Sequence, residues 1–321
     1  MMQLFLDNVF SAGFLFTVIR VGTPILFAAL AAMISTKCGV VNITIDGTML
    51  MSALIGTLVS AFTQNLLLGG LAGLLTGMAM GAFLAFFHVK MKTPANLTGV
   101  AMNLFTSGFT VFLCAVIAGD KGSTSKLSSL TFPTIHIPLL EDIPFLGTVL
   151  SGHNLLTYLA FVFVIGLYIF IYKTPFGLKI RAVGENEKAA KSVGENTDRI
   201  KIISLIIAGA VASFGGMFLS MGYVSWFTRN MTGGRGFIGV AANAIGHGHP
   251  VLVMFSSLLF AVAQAISNSI QILQLPSELV MAIPYVITLI IMVVNSAREE
   301  VTAARKKKKI VSQLRKAGSE Q

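Results

Sequence analysis

Long apolar runs with short polar punctuation dominate the chain. A bilayer-spanning helix needs about 20 apolar residues. Runs near that length occupy Val9–Ile34, Val40–Phe62, Leu66–Val89, Ala95–Ala118, Leu155–Tyr172, Ile202–Tyr223, Val251–Leu273 and Leu279–Asn295. A shorter apolar piece, Gly236–Gly246, lies between two of them. As straight helix it would cover only about 16 Å, too little to cross the hydrocarbon core. Three linkers are long: 119–153, 173–201 and 224–235. The pattern predicts an all-α, polytopic membrane protein with about 8–10 transmembrane helices, some of them broken.

Composition supports the same class. The 321 residues are 55% hydrophobic and 11% charged, with a mean hydropathy of +0.81. A soluble domain carries roughly 25% charged residues, so soluble enzyme folds are excluded. Cys38 and Cys114 form no CxxC and give no disulfide framework. The N-terminal run follows no basic segment and exceeds a signal-peptide core, so it reads as a retained span.

The net charge of +10 is unevenly placed. Residues 173–201 carry seven basic side chains and 296–321 carry eight. Two basic islands, rather than a stripe, argue against nucleic acid and define orientation instead. The 173–201 loop and the polybasic tail, 301–321, are expected in the cytoplasm, facing membrane lipid in the case of the tail. The 119–153 loop is then external, Lys90, Lys92 and Lys37 internal, and the N-terminus external. Residues 1–300 read as one transmembrane domain. Two cytoplasmic islands require an even number of crossings between them, and only three full runs separate residue 201 from residue 296. The short Gly236–Gly246 piece is therefore expected to be a broken or half-length crossing. Val40–Gly47, with Asn42 and Asp46, is its polar, glycine-marked counterpart in the first half. Paired broken segments mark substrate paths in transporters with inverted repeats.

Asp46 is the one acidic residue within the first four runs. A carboxylate there must face protein or water. It reads either as a pathway residue set by Asn42 or as a bonding partner for backbone N–H groups at a helix break beside Gly47. Asn96, Gly99 and Asn103 share a face of the fourth run, a stripe that suits a pore lining or helix packing. Asn243 lies in the short piece, and Gln264, Asn268 and Gln271 mark one face of the seventh run. The candidate pathway set is Asn42, Asp46, Asn96, Asn103, Asn243, Gln264 and Asn268. Glu278 is best explained by a helix dipole, Arg20 by snorkelling or an interfacial helix start. His247-Gly248-His249 is too short and loop-like for a metal site.

The 173–201 loop is the most specific feature. A short helix is expected between Gly184 and Gly194, capped by Glu185 or Asn186, with Glu187 at its positive end. Ala189, Ala190 and Val193 would form its small apolar docking face. No GxxxxGK[ST] phosphate loop occurs in the chain, so a nucleotide-powered engine must be a separate subunit.

At these residues the chain resembles a known family. Gly39-Val-Val-Asn-Ile-Thr-Ile-Asp-Gly-Thr-Met-Leu50 is similar to the early signature of the permeases of ABC importers for branched-chain amino acids, sugars and nucleosides. Thr44 stands where that family usually has glycine, and Asp46 where it has glutamate. Thr174–Gly194 resembles the family's cytoplasmic coupling loop, and Met281–Leu289 the final-span signature of its nucleoside branch. The resemblance implies a type II ABC importer permease fold. It also implies a bacterial inner-membrane location and a nucleoside-like solute, with sugar or branched-chain amino acid as alternatives. The implied partners are an ATP-binding subunit with two nucleotide-binding domains, a second and homologous permease, and an extracytoplasmic substrate-binding lipoprotein. ATP and magnesium would be held by the ATPase, with no cofactor in this chain. Gly184, Glu185, Asn186, Ala189, Ala190, Val193 and Gly194 are the implied coupling residues. An ATP-independent secondary transporter is the rival from another class. It would ordinarily show more buried ionisable groups than Asp46 and Glu278. A membrane-embedded enzyme would need clustered His, Asp and Glu or a Ser/Lys pair within the spans, and the runs hold none.

Overall fold

The computed structural model of the chain describes residues 11–138, 145–270 and 293. The run Leu279–Asn295, with Gln271, Glu278 and the tail 301–321, lies outside the described residues apart from Val293.

In chain order the helices are α1 Ala12–Lys37, α2 Ile45–Thr63, α3 Leu66–Ala85, α4 Ala95–Ile117, the short α5 Leu146–Leu150 and α6 Leu155–Lys173. They continue with α7 Pro175–Glu185, α8 Glu187–Ser192, α9 Thr197–Met217, α10 Arg235–Ile245 and α11 Pro250–Ile270. α3 runs on as a π-helical turn to Lys90, and α9 does the same to Tyr223. Among the described residues, seven helices are long and apolar enough to cross a membrane. They match the first seven full runs of the sequence.

α1 is the axis of the bundle. Every residue from Val21 to Ser35 is buried. A helix enclosed on all sides has no polar face, which is why its sequence shows no amphipathic stripe. α9, α10 and α11 pack around it.

α3 packs on α9 through glycine. Gly69, Gly73, Gly77 and Gly81 fall four apart and are all buried. Side chains at Gly77 and Gly209 would each overlap the other's backbone carbonyl. Lipid tails give helices no hydrophobic reason to associate, so close van der Waals approach of backbones must supply the attraction. Gly77 and Gly81 meet the α9 backbone at Gly209 and Leu205, whereas Gly73 and Gly69 make room for Met217 and Met221 and for the α2 backbone.

The two long linkers on the predicted external side are knitted together. Residues 134–135 pair antiparallel with 153–154, and Ser123 bridges to Thr228. The Thr124 amide donates to the Phe227 carbonyl at 2.9 Å, and the Arg229 amide to the Gly122 carbonyl at 2.7 Å. The 224–234 segment thus lies beside the 119–138 segment. At its other end α10 delivers Gly248 against the side chain of Lys37, the last residue of α1. The short piece therefore completes a passage from the side of the long loops to the side of Lys37, as the crossing parity requires.

Candidate functional site

The site forms where two helices begin inside the bundle. After Lys37 the chain does not turn directly into α2. It climbs back along α1, with the Val40 amide donating to the Ser35 carbonyl at 3.0 Å. Asn42 stiffens this segment. Its Nδ2 donates to Ser35 Oγ at 3.2 Å, and its Oδ1 accepts the Thr44 amide at 2.9 Å and the Thr44 hydroxyl. With both ends of its amide engaged and 4% exposed, Asn42 holds the connection between α1 and α2.

Asp46 sits in the first turn of α2. Its Oδ1 accepts the Gly236 amide at 3.0 Å and its Oδ2 the Thr232 hydroxyl at 3.1 Å. Gly236 is the second residue of α10. Its Cα presses on the Asp46 backbone so closely that a side chain there would overlap it. Two helix N-termini, each carrying partial positive charge, thus converge on one carboxylate, which stabilises both. The sequence expectation placed such a carboxylate at a break beside Gly47; the break it satisfies is the one at Gly236.

Asn103 of α4 closes the same junction from a third side. Its Nδ2 donates to the Ile43 carbonyl and its Oδ1 accepts the Gly47 amide, both at 2.9 Å. Gly99 packs against Ile43, and Gly47 against Asn103 and Thr106. The predicted stripe therefore splits. Gly99 and Asn103 face the junction, whereas Asn96 is exposed. The outer face of α4 also exposes Leu97, Leu104 and Phe105, and Phe105 stacks on Phe109 with ring centroids 5.1 Å apart.

α10 then runs down α1. Gly239 lies against Ala28 and Ala29, and Asn243 Nδ2 donates to Thr36 Oγ1 at 3.0 Å. Gln264 and Asn268 are not brought to this junction. They pair with each other along α11 at 3.3 Å. The Arg20 guanidinium lies over the Tyr223 ring, 4.2 Å from its centroid.

The loop 173–201 holds two helices rather than one. α7 begins with a Thr174 cap, whose Oγ1 accepts the Gly177 amide at 3.1 Å, and with Pro175 in its first turn. It runs through Gly184, which is not a stop. Gly184 sits on the end of α1, where a side chain would overlap the Lys37 carbonyl and crowd Gly39. Gly39 itself has φ of +83°, which favours glycine. α8 is capped by Asn186, whose Oδ1 accepts the Ala189 amide at 3.0 Å. Glu187 occupies its first turn. Ion pairs Lys201–Glu187 at 2.6 Å and Lys179–Glu195 at 2.8 Å tie the loop to α9 and α7. The Lys201 ammonium holds the Glu187 carboxyl below its ordinary range. Glu185 is exposed at the end of α7, and Gly194, with φ of +87°, ends the turn in open space.

The expected apolar face of α8 is divided. Ala190 is buried in the main core, whereas Ala189 is exposed and Val193 is 78% exposed. A six-residue helix lying on the protein must turn one flank inward, and Ala190 is on that flank. Leu178 of α7, also exposed, was not foreseen as part of this surface. Thr174-Pro175 was the overlooked sequence signal, a cap followed by proline at a helix start.

Comparison with known proteins agrees with this architecture. The family described as "Branched-chain amino acid transport system / permease component" matches residues 14–292. The guanosine ABC transporter permease protein NupQ of Bacillus subtilis is 32% identical, the match covering 83% of this chain and 86% of that protein. A glucose ABC transporter permease protein of Haloferax volcanii, TsgC13, is 31% identical over 83% of this chain and 80% of its own. The nucleoside ABC transporter permease protein NupC of Lactococcus lactis is 28% identical over 84% and 88%. A metal-chelate type ABC transporter solved in an inward-facing conformation shares the fold with a TM-score of 0.50, at 16% identity over 91% and 88% of the two chains. Seven apolar helices, two broken segments joined at Asp46 and the matched residues 14–292 lead to one conclusion: the chain belongs to the permease components of the branched-chain amino acid transport family, and is a multi-pass permease subunit of an ABC importer.

Proposed function

We propose that this permease carries a neutral, nucleoside-like solute inward across a bacterial cytoplasmic membrane, with its C-terminal tail on the cytoplasmic side. The observation that carries the solute class is Asp46. It occupies the positive end of α10, so that helix start offers nothing to an anionic solute of the kind that half-helix termini otherwise attract. The guanosine and nucleoside permeases among the relatives support the same choice. Asn42, Asp46, Asn103 and Asn243 hold the broken helices in register. The solute passes along the exposed face of α4, near Asn96, against a second and homologous permease.

Power comes from a separate ATPase with two nucleotide-binding domains, which holds the ATP and magnesium. It docks on α8 through Ala189 and Val193, with Glu185, Asn186 and Gly194 shaping the turn. A substrate-binding lipoprotein delivers the solute on the outer face. The deciding experiment is uptake by proteoliposomes of the assembled importer, comparing radiolabelled guanosine with glucose. ATP-dependent guanosine uptake is expected. Uptake by this chain alone on an ion gradient would overturn the reading. Preference for glucose would favour the second reading, a sugar permease, which the Haloferax volcanii relative supports.

A further inference from the structure

A cavity of about 450 Å³ lies between the end of α1, α7 of the coupling loop and the C-terminal end of α10. It is separate from the Asp46 junction. Lys37, Tyr172, Arg181, Glu185, Asn243 and His247 line it. The Lys37 side chain crosses Gly248, where the lack of a Cβ leaves it room. The Arg181 guanidinium stands 5.0 Å above the Tyr172 ring.

Among the described residues, two lining atoms have no hydrogen-bond partner. Asn243 is 4% exposed, and its Oδ1 accepts nothing. Arg181 Nε is buried and donates to nothing. Such orphaned groups are costly inside a protein unless a bound species satisfies them. One asks for a donor and the other for an acceptor. The two cations, Lys37 and Arg181, form no ion pair among the described residues, and a guanidinium fork suits a phosphate. Glu185 and Asn243 Oδ1 beside them suit hydroxyl or N–H donors.

We propose that this cavity binds a phosphate ester that also carries hydroxyl or N–H donors. The phosphate sits between Lys37 and Arg181, and the donors face Asn243 and Glu185. A free mononucleotide and the headgroup of an anionic phospholipid such as phosphatidylglycerol share this chemistry. Either occupant touches α7 and α10 at once, and so ties the coupling loop to the broken helix.

The test uses the full-length permease in nanodiscs of phosphatidylcholine and needs no transport, so its outcome is independent of the solute. One arm titrates guanosine 5′-monophosphate, with guanosine and inorganic phosphate as competitors. The other adds phosphatidylglycerol and measures its retention by native mass spectrometry. Saturable binding of either probe is expected, weakened roughly tenfold or more in Arg181→Gln and in Lys37→Gln, since each loses a charge-assisted hydrogen bond. Arg181→Lys, which keeps the charge, should retain part of the affinity and guards against a folding defect in the glutamine variant. The arm that binds identifies the source. Absence of saturable binding in both arms, or equal binding by wild type and variants, would overturn the proposal.

Discussion

Asp46 and Gly236 are 190 positions apart in the chain, yet the carboxylate of one accepts the backbone amide of the other at 3.0 Å. That bond joins the two broken segments and makes one junction of two helix starts.

Asp46→Asn keeps an oxygen for the Gly236 amide but removes the charge between two helix N-termini. Asp46→Ala removes both. Transport is expected to fall in the order wild type, Asn, Ala, and the alanine variant to lose about 1–3 kcal/mol of stability for the amide left unpaired. ATPase binding should persist in both. Uptake assays and thermal unfolding in detergent read these effects; wild-type transport by the alanine variant would remove Asp46 from the mechanism.

Gly236→Ala places a methyl group into the Asp46 backbone. Overpacking of this kind costs about 1–3 kcal/mol or more. Gly166→Ala, on α6 with nothing within 4 Å of the new methyl, is the matched control and should be neutral or slightly stabilising. Melting temperatures of the two variants should move apart; equal shifts would mean that the contact at Asp46 yields freely.

Ala189→Arg and Ala190→Arg should fail in different ways. Ala189 is exposed and Ala190 is 5% exposed. An arginine at 189 is expected to leave a folded permease that no longer co-purifies with its ATPase. At 190 it must bury a charge, and the protein itself should unfold at lower temperature. Co-purification combined with a thermal scan separates the two, and normal ATPase association by the 189 variant would rule out docking at that face.

The Glu187–Lys201 pair gives a pH signature. Glu187 is held below its ordinary value of 4.5, first by the hydrogen bond from Lys201. A carboxylate whose folded pKa is depressed stabilises the fold fully above its unfolded pKa, and loses that contribution as pH falls through the folded value. Its side chain is 46% exposed, so solvent screening limits the effect to a few tenths of a kcal/mol up to about 1 kcal/mol. The stability difference between wild type and Glu187→Gln should be present at pH 7 and vanish on acidification below pH 4.5. A difference that persists under acid would contradict the pairing.

The spans were legible because each is a long apolar run whose length alone identifies it. The passage at Gly236–Gly246 was legible only through charge, since its own length argued against a crossing. Asp46 was legible as a residue that needed a partner, but not which one. Its partner is a backbone amide in the other half of the chain, and an amide carries no sequence signature. Asn42, Asn103 and Asn243 were visible as polar residues in apolar runs. Whether such a residue lines a path or ties backbone together depends on neighbours that only the fold supplies. The four-residue glycine spacing of α3 is visible in the sequence, but which helix it meets depends on the fold. Ala189 and Ala190 are alike in the sequence, and only packing shows that Ala190 is on the flank that faces inward.

Gly184 rests on the Lys37 carbonyl with no side chain between them. A joint made of two backbones has no rotamers to absorb a displacement. The coupling loop therefore meets the end of α1 as a stiff bearing. On the proposed docking at α8, that contact leaves little slack between α7 and α1, whose Thr36 is bonded to Asn243 of α10. In this chain glycine is the hard material and the larger side chains are the soft one.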